Sequence, residues 1–211
     1  DQDRRLSYYD ERLRDMIVKS VALKAVWQIR NLKPFCQRVI IFIDEPGLLA
    51  FGSSTFTAIS RQDVLSDLNQ VASAIHAEGA LAGVHCEANT DWSILLEAEV
   101  EIVDFDAYDH FQVMTLYPEE LAAFLEKGGI LGWGIVPTLD LKATATETVE
   151  SLETKFEEQV AELERRGHER EALLSQTLLT PSCGMGTLSE ELAERALGLL
   201  KELSGRLRGK R

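Results

Sequence analysis

Five strand-like runs alternate with stretches of helical periodicity along this chain, and that alternation restricts the fold more than any other feature of the sequence. Strands separated by helices pair side by side in parallel, because each helix carries the chain back across the sheet. The runs are Val39–Ile43, Leu81–Val84, Glu101–Asp106, Ile130–Val136 and Leu178–Gly184. Val39–Ile43 is continuously β-branched or aromatic, which predicts a strand buried on both faces. The class is therefore α/β with a parallel sheet. At 211 residues the chain is long enough to form one domain, residues 1–211, with a sizeable core.

Helices fill the intervals. Residues 3–31 predict one long helix with Leu13, Ile17, Val21, Ala25 and Ile29 inward, ended by Pro34. Ser60 with Asp63 predicts a capping box; its helix buries Val64, Leu65, Leu68, Val71 and Ile75 and closes at Gly79. Thr90 and Asp91 are candidate caps for a short helix through Ile94, Leu95 and Leu96. Pro118–Lys127 predicts a helix with proline in its first turn. Residues 144–166 predict one acidic amphipathic helix with Val149, Leu152, Phe156, Val160 and Leu163 inward. Thr187 with Glu190 predicts the cap of a last helix that buries Leu192, Ala196, Leu199, Leu200 and Leu203. The loop over residues 48–57, with Gly52, Ser53 and Ser54, is long enough to carry function.

The net charge of -13 argues against nucleic acid and against an anionic membrane surface, since both need a basic footprint. The basic tail Arg206–Arg211 reads as a solvated end. No apolar run approaches the ~20 residues of a membrane span. Three cysteines without a CxxC spacing argue against a disulfide framework and for a reducing, cytoplasmic compartment. No GxGxxG or GxxxxGK[ST] follows any strand, so the usual dinucleotide and P-loop signatures are missing. The chain opens at Asp1 directly into a charged helical pattern, as the later part of a longer protein would.

Every strand-like run ends in polar chemistry. The first gives Asp44 and Glu45, the second His85 and Glu87, the third Asp106, the fourth Thr138 and the fifth Cys183. In a (β/α)8 barrel the carboxyl ends of the strands meet at one rim, so residues far apart in sequence can share a pocket. Side chains alternate across a strand, so His85 and Glu87 share a face and Cys86 packs on the other. Each residue also has a plainer reading. His85 alone suits a hydrogen-bonded structural histidine, and Asp44 and Glu45 suit turn caps. Asp104 suits a buried polar contact. Trp92 and Trp133 suit packing as well as a substrate platform. Cys183, ahead of a predicted helix, suits a thiol of lowered pKa. His76, His110 and His168 read as surface or loop residues without ligand spacing.

Five stretches together carry a resemblance: Ile43–Pro46, His85–Trp92, Val103–Tyr108, Gly132–Thr138 and Thr180–Gly186. In content and order they resemble the catalytic domain of cobalamin-independent methionine synthase. They are closer still to its shorter relatives in the superfamily shared with uroporphyrinogen decarboxylase and the corrinoid methyltransferases. The resemblance implies a (β/α)8 TIM barrel of which the last five β/α units are present. It implies a zinc ion on His85, Glu87, Asp106 and Cys183. Glu87 stands where the family has cysteine, and Asp106 is shorter than the family's glutamate, so the implied site is harder and weaker. Asp44 matches the acidic residue that takes the substrate's amino group and is the candidate catalytic residue. Glu45, Asn89 and Trp133 join it as candidate substrate-binding residues. The implied activity is zinc-dependent methyl transfer to a small-molecule thiol from a folate or corrinoid donor. The alternatives are a metal-free decarboxylase-like lyase and a non-catalytic barrel with a decayed site. Five strands of an eight-stranded barrel would expose sheet edges, to be covered by an N-terminal segment, a second copy or a rearranged sheet.

Overall fold

A computed structural model describes residue 8 and residues 10–50, 59–86 and 90–209, the side chains of Leu49 and Ala50 apart. Glu87, Asn89, Gly52, Ser53 and Ser54 lie outside the described residues, as do residues 3–7 of the predicted first helix and the last two residues of the basic tail. The fold is α/β. Its five parallel strands are β1 (Ile40–Asp44), β2 (Leu81–Cys86), β3 (Ile102–Phe105), β4 (Ile130–Val136) and β5 (Thr177–Pro181). They lie in one sheet in their order along the chain, with helices in the intervals. The chain divides into two compact units. Among the described residues, the first takes those up to His85 together with Thr90–Ile102, and the second takes Cys86 and everything from Val103.

The first unit opens with α1 (Glu11–Leu32), which begins where Asp10 caps it, its carboxylate accepting from Arg12 N and Leu13 N at 3.0 and 3.2 Å. The helix buries Val18, Ala22, Ala25 and Ile29, whereas the predicted Leu13, Ile17 and Val21 are 37, 45 and 42% exposed. The strict four-residue spacing explains the error. Four residues turn a helix through about 400°, so such a row winds round the cylinder and meets the buried face at one end only. On the opposite face Met16, Leu23 and Trp27 are 62, 68 and 64% exposed.

Helix α2 (Arg61–Ala77) carries the predicted capping box, with Ser60 and Asp63 satisfying each other's backbone N–H, and Gly79 at φ 67° closes it. Arg14 ties α1 to α2 through Asp63 at 2.6 Å and Asp67 at 2.8 Å. Strand β1 pairs with β2 from Ile40 opposite Leu81 to Asp44 opposite His85. The Phe42 ring lies over Gly83, where a Cβ would stand 2.6 Å from it, so the second strand needs glycine at that point. The expectation that β1 is buried on both faces is corrected: Ile40 and Phe42 are 40 and 41% exposed. As the first strand in the sheet order, β1 has a neighbouring strand on one side only among the described residues. Helix α3 (Trp92–Glu97) is capped by Asp91 and buries Trp92, Ile94, Leu95 and Leu96.

The second unit holds α4 (Phe111–Met114), α5 (Pro118–Glu126), α6 (Leu141–Thr146), α7 (Val149–Arg165), α8 (Arg170–Ser175) and α9 (Glu190–Gly209). The single helix expected over 144–166 is two. Asp140 caps α6, and a Thr148–Ser151 capping box restarts the chain as α7. The predicted stripe of α7 is buried throughout. Ser189 caps α9, accepting from Leu192 N at 3.3 Å, so the Thr187 cap is corrected by two residues. Leu192 and Leu200 are half-buried, leaving Ala196, Leu199 and Leu203 as the buried face. Arg206 pairs with Glu150 at 2.6 Å, so the start of the basic tail is tied to α7 rather than merely solvated. Trp133 centres the core, its ring 5.7, 5.9 and 5.1 Å from Phe105, Phe111 and Phe156. Among the described residues no helix is long and apolar enough to cross a membrane.

Candidate functional site

Sequence-predicted site residues fall at strand ends in both units. In the first unit, Asp44 stands opposite His85, and Glu45 N donates to the His85 carbonyl at 2.9 Å. Asp44 is exposed and His85 is half-buried; Cys86, which belongs to the second unit, is buried as the packing residue its strand position predicts. Glu45 folds back into the turn after β1. Its Oε1 accepts from Gly47 N at 3.0 Å. Burial pushes its carboxyl up, and Asp44 and Asp67 nearby add to the push. His76, read from sequence as surface or loop, sits in α2 with Nε2 3.0 Å from Glu101 Oε1. The other oxygen of Glu101 accepts from Ala82 N at 2.8 Å, so the pair braces the start of β2.

In the second unit, Gly134 draws two strand ends together. A Cβ at this position would stand 2.6 Å from the Phe105 carbonyl oxygen and 2.9 Å from Ser182 Cα. Only glycine allows both to approach β4 so closely. Asp106 directly follows Phe105 and Cys183 directly follows Ser182, so both candidate ligands flank the same point of β4. Asp106 is 1% exposed. Its Oδ1 accepts from Tyr108 N at 2.9 Å and Asp109 N at 3.0 Å, which fixes the carboxylate. Its Oδ2 is buried without a hydrogen-bond partner among the described residues. Burial first, and the nearby Asp109 after it, hold this carboxyl above the ordinary range.

Cys183 is a half-buried thiol held through its backbone. The Thr138 hydroxyl accepts from Cys183 N at 3.0 Å and donates to the Cys183 carbonyl at 3.1 Å. Ser182 Oγ accepts from Thr138 N at 3.1 Å and meets Thr138 Oγ1 at 3.1 Å. Both hydroxyl residues are 1% exposed. Sequence reasoning picked out Thr138 and Cys183 but missed Ser182 as their link. The available signal was the repeated pair Pro137-Thr138 and Pro181-Ser182 at the ends of neighbouring strands. Helix α9 starts only at Glu190, so Cys183 does not sit at a helix N-terminus. Trp133 is fully buried, its indole N–H donating to Gln159 Oε1 at 2.7 Å. Asp104 is buried and accepts from the Thr180 hydroxyl at 2.6 Å.

His85 belongs to the first unit and Asp106 and Cys183 to the second, while Glu87 and Asn89 lie outside the described residues. Among the described residues no three His, Cys, Asp or Glu side chains form a metal-holding group. In the second unit, Asp106 Oδ2 is a buried carboxylate oxygen that no N–H or O–H of the described residues satisfies, so it can take a proton or a cation. Comparison of the chain with models of known protein families and with curated proteins found no match to either.

Proposed function

We propose that this chain is a methionine-synthase-like methyltransferase domain, with its five parallel β/α units forming part of a (β/α)8 barrel. Its substrate is a small-molecule thiol, and its methyl donor is a folate or corrinoid. Asp106 is the observation that carries this reading: its Oδ2 is buried and lacks a hydrogen-bond partner among the described residues. A buried carboxylate oxygen of this kind is costly unless a proton or a cation meets it. His85, Glu87, Asp106 and Cys183, all four named by the sequence resemblance, are the residues that would hold zinc. When bound, zinc lowers the pKa of a substrate thiol so that its thiolate is available near neutral pH. Thr138 and Ser182 hold the Cys183 backbone in one conformation, and Asp44 takes the substrate's amino group.

Metal analysis of the purified chain tests the reading. It expects one zinc per chain, removable by chelator and lost in Cys183→Ser and Asp106→Asn. Glu87→Cys should raise zinc affinity. A chain that takes up no zinc overturns the reading. It would then favour the metal-free alternatives, a decarboxylase-like lyase or a non-catalytic barrel.

A further inference from the structure

The first unit contains a cavity of about 310 Å3 between α1, α2 and the turn after β1. Its walls are apolar: Ile17 and Val21 from α1, with Val64, Leu68 and Val71 from α2. These α1 residues are among those the helix leaves exposed, so the cavity explains what part of that exposed surface faces. Four polar residues also line it, namely Tyr8, Asp44, Glu45 and Asp67.

Two of the acids that line it, Asp67 and Glu45, are in different electrostatic states. Asp67 is compensated. It accepts from Arg14 Nε at 2.8 Å and Arg14 Nη2 at 2.9 Å, and from the Tyr8 hydroxyl at 2.5 Å. Glu45 is not. Among the described residues no basic side chain pairs with it, and the charged neighbours that act on it, Asp44 and Asp67, are acidic. Its carboxylate is nevertheless held in place by Gly47 N at 3.0 Å. A Cβ on residue 47 would stand 2.8 Å from that same oxygen, so glycine permits the seat. The result is an oriented, uncompensated carboxylate on an apolar cavity of ligand-binding size.

We propose that this cavity binds a small primary amine with a hydrocarbon body, its ammonium on Glu45 and its chain against Ile17, Val21 and Leu68. A divalent ion would use the carboxylates but leave the apolar walls without a partner. A neutral hydrocarbon would leave the carboxylate desolvated and unpaired. An ammonium meets both requirements, supplying charge to Glu45 and apolar surface to the walls. Asp44, which takes the substrate's amino group in the proposed methyl transfer, also lines this cavity, so the two readings meet at the ammonium; the chelator in the test keeps amine binding on Glu45 separate from zinc.

The test is a titration of the whole chain, with chelator present, by n-hexylamine, n-hexanol and hexanoate, followed by NMR at the Gly47 and Val21 amides. The amine should saturate, and the alcohol and the carboxylate should not. Glu45→Gln should weaken amine binding about tenfold or more, the loss expected for a hydrogen bond to a charged group. Val21→Phe should block binding by filling the cavity from its exposed side. Melting each variant without ligand separates lost binding from lost fold, and the amine–alcohol contrast in the unaltered chain decides the matter if Glu45→Gln does not fold. Failure of the amine to saturate overturns the proposal. So does equal binding of hexanol with no effect of Glu45→Gln.

Discussion

The Thr138 hydroxyl clasps Cys183 at both ends of its peptide backbone, accepting from its N–H at 3.0 Å and donating to its carbonyl at 3.1 Å. Thr138 is 1% exposed, so solvent reaches its hydroxyl poorly and is a weak substitute for the clasp. Thr138→Val keeps the shape and removes every one of these bonds, and should cost about 1–3 kcal/mol. Thr138→Ser, which keeps the hydroxyl, should cost less. Urea midpoints of the two variants against the parent check this, and equal midpoints would show that the clasp contributes nothing.

Asp106 should leave a mark on the pH dependence of stability. A carboxyl whose folded pKa lies above its unfolded value binds a proton more readily in the native state. Native stability therefore falls as pH rises from the ordinary value of 3.8 through the raised one, and is flat beyond. Asp106→Asn cannot titrate. Its melting temperature relative to the parent should rise across that window, and an unchanged difference from pH 3 to pH 7 would contradict the burial argument.

Asp63 should behave in the opposite sense. Arg14 at 2.6 Å and the Ser60 cap hold its carboxyl down to about 2. The stability this contributes is fully present above 3.8 and is lost as pH falls through about 2. The advantage of the parent over Asp63→Asn should shrink over that acid range. Thermal melts at stepped pH would show it.

Gln159 bridges two buried groups, accepting from Trp133 Nε1 at 2.7 Å and donating to the Ala107 carbonyl at 2.5 Å. Gln159→Leu leaves both groups buried without this partner and should destabilise the protein by about 1–3 kcal/mol. A urea midpoint unchanged from the parent would mean that Trp133 and Ala107 find other partners.

Gly132 marks a steric limit. A Cβ there would stand 2.2 Å from Asp104 Oδ1, the oxygen that accepts from Thr180 at 2.6 Å. Gly132→Ala should displace Asp104, break that bond and cost about 1–3 kcal/mol. Thr180→Val made on the Gly132→Ala background should then cost less than it does alone, a coupling that a double-mutant cycle reads directly.

Strand–helix alternation was legible because each run of β-branched residues is bounded by its own caps and glycines. Ser60 with Asp63 and the α7 stripe from Val149 to Leu163 are examples. What misled was repetition at the wrong period. The row from Leu13 to Ile29 drifts round α1, and only Ala25 and Ile29 lie on the buried face. Thr187 with Glu190 matches a capping pattern by residue type, yet Ser189 does the capping. Thr148 and Ser151 cap each other without an acid, so the break before α7 carries no acidic signal. At the candidate site, residue types were readable strand by strand. The Gly134 contact that brings the Phe105 and Ser182 ends together was not, because a close approach of backbones leaves only a missing side chain in the sequence.

Trp27 lies 64% exposed on the outer face of α1, while Trp92 and Trp133 are at 1 and 0%. A dissolved collisional quencher therefore meets one indole and is shut out from two. The intrinsic emission of this protein thus carries an internal reference: the quenchable fraction reports on the α1 surface, and the protected fraction on the interiors of the two units.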